Sequence, residues 1–367
     1  MTIPFVSFKS QNESIKEEAR AVFNRFFDSG HYVLGPMTSQ FEADFARFNE
    51  VNHAIGISNG LDALHLALRV LEIGPGDEVL VPSNTYIATA LAVEMAGAKV
   101  KFVEPDSKTY NISPLEIRKA IGRNTRAIMP VHLYGQACEM DEIMSIAKEK
   151  GLMVIEDNAQ AQGARFAGKM TGSFGHVNAS SFYPTKNLGA MGEAGAITTD
   201  AGEWNEKARI WRNYGSEKRY FNMVKGFNNR IDELQAGLLS LKLQYLNQWT
   251  KERQKAAERY FSNLSNIPEL ILPCSHPNAE HVFHLFVIRT ERRDELQQFL
   301  QVRGVGTVIH YPIPPHLQEA YRSSGHKKGD FPIAEMLAET SLSLPLYPGI
   351  SESEIDFVSD QIVEFFN

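Results

Sequence analysis

The stretch Leu152-Met153-Val154-Ile155-Glu156-Asp157-Asn158-Ala159-Gln160-Ala161 passes from an apolar run straight into a small, polar turn. A short apolar run with so little alternation reads as a strand buried on both faces. Working outward, comparable runs recur at Ala54–Ser58, Glu78–Pro82, Val100–Glu104, Ala127–Leu133, Ala179–Tyr183 and Ala194–Thr198. Helix-like patterns separate them at Leu61–Leu71, Tyr86–Ala96, Pro114–Ile121 and Met140–Lys150. Strands alternating with amphipathic helices predict an α/β domain built on a mostly parallel sheet.

The pattern changes after Asp232. One long helical segment is expected from Glu233 towards Asn263, followed by a strand at Val282–Arg289, a helix at Arg293–Arg303 and a strand near Val308–Tyr311. Ser351 and Glu354 read as a capping box that opens a last helix ending at Phe366. A chain of 367 residues is long enough for two domains. The expected division is a large α/β domain over residues 31–240 and a small α+β domain over 241–367. The N-terminal helix in residues 1–30 is assigned to the small domain.

Hydrophobic residues make up 43% of the chain, which speaks for large cores and against disorder. The formal net charge is −7, with acids and bases interspersed, so no positive field favours nucleic acid or an anionic membrane. Only Cys138 and Cys274 are available for sulfur chemistry, which argues against a disulfide framework or a structural zinc site, and no metal is expected. No basic segment leads into an apolar run at the start, and no apolar stretch approaches about 18 residues. A cytoplasmic protein is the expectation.

Three sites carry candidate chemistry. Asp157 ends a strand, where open α/β sheets place their ligands, although a helix N-cap would put an acid at the same position. Lys186 follows the next strand in Ser181-Phe182-Tyr183-Pro184-Thr185-Lys186-Asn187-Leu188-Gly189, unlike a solvated surface lysine. Burial there would lower its proton affinity and make it a Schiff-base nucleophile; a structural ion pair is the alternative. Ser58-Asn59-Gly60-Leu61-Asp62 joins a strand to a helix, so backbone N–H groups and the helix dipole favour a phosphate. Pyridoxal phosphate unites the three needs: an aldehyde for a lysine, a ring nitrogen for a carboxylate and a phosphate for a helix N-terminus.

These motifs, together with Pro82-Ser83-Asn84-Thr85-Tyr86-Ile87-Ala88-Thr89 and Gly226-Phe227-Asn228-Asn229-Arg230-Ile231-Asp232-Glu233-Leu234-Gln235-Ala236, resemble the DegT-type nucleotide-sugar aminotransferases nearly end to end. The resemblance implies a fold-type-I pyridoxal-phosphate transferase that forms a homodimer with active sites shared between subunits. It implies Lys186 as the Schiff-base lysine, Asp157 against the ring nitrogen, Gln160 beside the ring hydroxyl and Tyr86 on the ring face. Gly60, Leu61 and Ser181 would hold the phosphate, joined by Asn228 from the other subunit. Leu61 departs from the threonine of many relatives, leaving that position only its backbone N–H.

A nucleotide-linked keto-sugar needs contacts beyond the cofactor. Lys218, Arg219 and Tyr220 offer cations and an aromatic ring, while Tyr183 and His310 suit sugar hydroxyls. His132 and Tyr134 read as packing residues. The runs Arg212–Lys218 and Arg230–Ala236 resemble the branch that aminates dTDP-linked 3-keto-6-deoxyhexoses, with L-glutamate the implied donor and the cofactor cycling between its aldehyde and amine forms. A 4-keto substrate shares the same core, as does a cofactor-binding regulator without turnover. A dehydratase on this scaffold would carry histidine at position 186.

Overall fold

The computed structural model describes residues 1–367. Its main sheet is formed by His53–Ile57 (β1), Glu78–Pro82 (β2), Lys99–Val103 (β3), Thr125–Ile128 (β4), Met153–Val154 (β5), Asn178–Ser181 (β6) and Gly195–Thr199 (β7). The strands β3, β2, β4 and β5 lie side by side in parallel. Asp157, just past β5, bridges Ala179 of β6 in parallel, and β6 continues through β7 to β1. Only β7 runs against its neighbours. The predicted, mostly parallel sheet is present.

Strand β2 shows why helices flank both faces. Val79, Leu80 and Val81 are all fully buried, and successive side chains point to opposite sides. Val79 and Val81 pack with helices Gly60–Val70 and Ile87–Met95. Leu80 packs with helices Pro114–Ala120 and Met140–Lys150 on the other side. Each such side chain contributes about 1.5–3 kcal/mol by leaving water.

The expected long helix after Asp232 is two helices, Glu233–Leu243 and Leu246–Leu264. At the break, Gln244 and Tyr245 donate to carbonyls three residues back, Leu241 and Lys242, instead of four. That tightened turn needs no glycine or proline, so the sequence carries no mark of it. A second core gathers Tyr260, Phe286, Leu296 and Ile362, around Phe286–Arg289 (β8) paired antiparallel with Ser341–Leu344 (β9). Strand β8 is shorter than expected because Val282 and Leu285 donate instead to Gly135 and Tyr134 of the large sheet's loops. The Ser351–Glu354 capping box forms as read, with Glu354 N–H donating to Ser351 Oγ at 3.2 Å and Ser351 N–H to Glu354 Oε2 at 2.8 Å.

The N-terminal segment touches both cores. Ile3 bridges Val305 and enters the C-terminal core, whereas Ile15 and Val22 pack on Leu238, Leu241 and Trp249. No helix is long and apolar enough to cross a membrane.

Candidate active site

Strands β1, β5 and β6 share one direction, so the segments leaving their carboxyl ends converge at one edge of the sheet. Helix Gly60–Val70 leaves β1 there. Asn59 is its N-cap, accepting from Asp62 N–H at 2.9 Å, and its carbonyl accepts from Ala63 N–H. The first turn of any helix has donors without an intrahelical partner. Here that leaves the Gly60 and Leu61 N–H groups facing a cavity that both residues line. Gly60 is required by space: a Cβ would stand 2.6 Å from Ser181 Cβ, closer than atoms pack. Backbone and serine hydroxyl therefore meet at one end of the cavity, as an anion site requires.

Asp157 and Lys186 lie deeper. Asp157 is 5% exposed, and its backbone is pinned between β4 and β6 by bridges to Val131 and Ala179. Its Oδ2 accepts from Thr89 Oγ1 at 2.9 Å and its Oδ1 from Ala159 N–H at 3.1 Å. Burial pushes its carboxyl above the ordinary value, opposed by those two donors and by the nearby charge of Lys186. Lys186 opens partly to the cavity but is crowded by protein on its other sides, and burial lowers its amine to about 8, with Asp157 the charge that resists. The structure thus contains a buried carboxylate without an ion pair and a buried amine without a hydrogen-bonded acceptor.

The loop carrying Lys186 is tied down on both sides. Lys242 Nζ donates to Gly189 O at 2.7 Å, and Gln235 Oε1 accepts from Met191 N–H at 2.8 Å. Asn187 Nδ2 donates to Val282 O at 3.2 Å, which turns Asn187 Oδ1 towards His284 Nδ1 at 3.1 Å. Burial and the charge of Lys186 lower the proton affinity of both His284 and His310, the latter to about 4. Both rings are therefore neutral near pH 7.

Gln160 is oriented by two contacts: its Oε1 accepts from Tyr134 N–H at 2.7 Å, and its Nε2 donates to Tyr311 Oη at 3.0 Å. Tyr311 also meets Tyr86 ring to ring at 5.3 Å, so the C-terminal part of the chain closes one wall. Tyr134 hydroxyl donates to the carbonyl of His310, a role beyond packing.

His132 behaves as the sequence suggested. It is fully buried, its Nδ1 accepts from Cys138 N–H at 3.0 Å, and its Nε2 donates to Glu156 at 2.7 Å. Glu156 also takes N–H bonds from Gly172 at 2.8 Å, Phe174 at 2.6 Å and Gly175 at 2.8 Å. This neighbour of Asp157 points away from the cavity and anchors the strand end.

Of the sequence-derived residues, the structure gathers Gly60, Leu61, Tyr86, Asp157, Gln160, Ser181, Tyr183, Lys186 and His310 around one cavity of about 720 Å³. Asn228 is exposed and off its lining; its Oδ1 accepts from Arg230 Nη2 at 2.5 Å. Lys218, Arg219 and Tyr220 sit on an exposed hairpin, also off the lining, with Arg219 stacked on Tyr220 at 5.0 Å. Sequence reading missed Thr89, His284 and Tyr311. Thr89 had a usable signal, since it follows Tyr86 by three positions, the spacing that shares a face of the helix expected from Tyr86. His284 and Tyr311 come from the other core and had none.

Pyridoxal phosphate fits these residues. It brings an aldehyde to an unpartnered amine, a ring nitrogen to an uncompensated carboxylate and a phosphate to two free N–H groups. The cavity is also within the usual range for small ligands.

Known proteins are similar to this chain over nearly its whole length. The DegT/DnrJ/EryC1/StrS aminotransferase family matches residues 13–363. A Streptomyces venezuelae protein named dTDP-3-amino-3,4,6-trideoxy-alpha-D-glucose transaminase is 45% identical over 363 residues, 99% of this chain and 96% of the relative. An Aneurinibacillus thermoaerophilus protein named dTDP-3-amino-3,6-dideoxy-alpha-D-galactopyranose transaminase is 47% identical over 360 residues, 98% of each. The crystal structure of S. venezuelae DesV in complex with a ketimine intermediate superimposes with a TM-score of 0.98 at 45% identity, covering 100% of this chain and 99% of that one.

Proposed function

Because the chain belongs to the DegT/DnrJ/EryC1/StrS aminotransferase family, we propose that it aminates the C3 ketone of a dTDP-linked 6-deoxyhexose, taking the amino group from L-glutamate. Transamination of a nucleotide-linked keto-sugar with pyridoxal phosphate is its class of reaction. The observation that carries the reading is the meeting of Lys186, Asp157 and the free Gly60 and Leu61 N–H groups on one cavity. Two relatives named for 3-amino sugars support the C3 position.

When bound, pyridoxal phosphate supplies an aldehyde carbon that exchanges amines and a ring that takes up the electron pair left at the donor carbon. Lys186 offers the amine that anchors it. With its proton affinity lowered to about 8, Lys186 Nζ can both accept and return a proton near neutral pH. Asp157 takes the role of anion towards the ring nitrogen. Gly60, Leu61 and Ser181 take the phosphate, Tyr86 the ring face and Gln160 the ring hydroxyl. Neutral His310 and the half-exposed Tyr183 present hydrogen-bonding groups at the cavity wall for the sugar.

We assign Asn228 and the hairpin residues Lys218, Arg219 and Tyr220 to the cavity of a second subunit. Two facts support this: they lie off their own cavity, and the same hairpin exposes Phe221 and Met223, which a homodimer would cover. The free thiols of Cys138 and Cys274 suit the reducing cytoplasm.

The test is a coupled assay with L-glutamate and a panel of dTDP- and UDP-linked 3-keto and 4-keto sugars. The expected result is turnover of the dTDP-linked 3-keto-6-deoxyhexoses. Turnover of 4-keto sugars alone would reject the position, and no turnover with glutamate alongside turnover with another amino acid would reject the donor.

A further inference from the structure

The turn that presents Tyr86 to the cavity also delivers two hydroxyls towards Asp157. Thr85 and Thr89 lie four residues apart across the start of helix Ile87–Met95 and are 2% and 1% exposed. Thr89 Oγ1 donates to Asp157 Oδ2 at 2.9 Å, and the Oγ1 atoms of Thr85 and Thr89 are also 2.9 Å apart. A hydroxyl has a single hydrogen. That of Thr89 goes to the carboxylate, so Thr85 must donate to Thr89. The result is a one-way chain from Thr85 through Thr89 to Asp157, each bond strengthening the next. Within the chain, the Ala159 N–H is the other donor to this carboxylate, on Oδ1.

We propose that Thr89, backed by Thr85, is a positioning residue that keeps Asp157 ionised, so that the shared proton stays on the cofactor's ring nitrogen instead of moving to the carboxylate. The inference rests on the reading of Asp157 as that nitrogen's partner. Two sites compete for one proton. Donors that stabilise the carboxylate anion lower its pull on the proton, and removing one raises it. Burial already favours the neutral acid here, so the outcome is set by how many donors remain. Packing alone does not call for a hydroxyl, because valine has the same branched shape and would fill the site.

The experiment uses protein reconstituted with pyridoxal phosphate carrying ¹⁵N in its ring, and reads the nitrogen chemical shift at about pH 7.5. Wild type should show a protonated nitrogen. Thr89→Val should move the shift towards the unprotonated value and weaken cofactor binding about tenfold or more by equilibrium dialysis. Thr85→Val should move it the same way by less, and Thr89→Ser should restore it. A Thr89→Val shift equal to wild type overturns the proposal, as does a Thr89→Ser protein that behaves like valine. Should Thr89→Val not fold, an unchanged shift in Thr85→Val overturns it. Asp157→Asn separates the two levels: it should displace the shift fully. An unchanged shift there brings down the placement of Asp157 and the proposal with it.

Discussion

Glu156→Gln tests how the strand end beside the Asp157 carboxylate is held. Glu156 is fully buried and accepts four hydrogen bonds, from Gly172 and His132 on Oε2 and from Phe174 and Gly175 on Oε1. The glutamine amide must place its NH₂ at one of these two positions, where it faces two donors. His132 cannot switch tautomer to rescue it, because its Nδ1 is already accepting from Cys138 N–H. Two bonds to a charged group are lost in either orientation, at about 1.5–3 kcal/mol each. The glutamine avoids part of the several kcal/mol that burying a carboxylate costs, so the lower end applies, about 3 kcal/mol. At about 2–4 °C per kcal/mol for a domain of this size, Tm should fall by about 6–12 °C. Circular dichroism on the cofactor-free protein measures it. A fall of less than about 2 °C would refute the reasoning, since it would mean that the amide finds acceptors absent from this geometry.

Four further outcomes follow from the same geometry. Lys186 in cofactor-free protein should react with a small aldehyde half-maximally near pH 8, the ammonium dominating below and the free amine above; a midpoint near the ordinary lysine value of 10.5 would contradict its burial. Lys186→Ala should lower transamination by at least about 10²–10⁴-fold in single-turnover assays, and activity retained within tenfold would remove it from proton transfer. Gly60→Ala places a methyl group 2.6 Å from Ser181 Cβ, so cofactor binding by dialysis should weaken at least about tenfold, with about 1–3 kcal/mol lost from folding. Glu42→Ala leaves the buried Arg212 with only the Gly56 carbonyl and should cost about 3–5 kcal/mol in urea unfolding, because an unpaired buried charge is worse than no pair.

The large sheet was legible because its strands are apolar without interruption and its helices keep a clean period between them. Asp157 and Lys186 were legible for a related reason: a carboxylate and an amine at the ends of buried strands conflict with their surroundings, and such conflicts mark function. What stayed hidden depends on contacts between distant parts of the chain. Tyr311 reaches Gln160 across 151 positions, and His284 reaches Asn187 across 97. No local pattern encodes either pairing. The break at Gln244–Tyr245 escaped for the opposite reason: it is entirely local but uses ordinary helix formers, so composition gives no punctuation there. The hairpin residues Lys218, Arg219 and Tyr220 could be chosen for their chemistry, while their distance from their own cavity could not be read before the fold was known.

Asn187 grips Val282 and His284 from the position next to the Lys186 amine. The reach of that amine is thereby geared to the seating of the C-terminal lobe. A substitution far from the cavity that tilts this lobe by a fraction of an ångström would re-aim Lys186 without altering any cavity-lining residue.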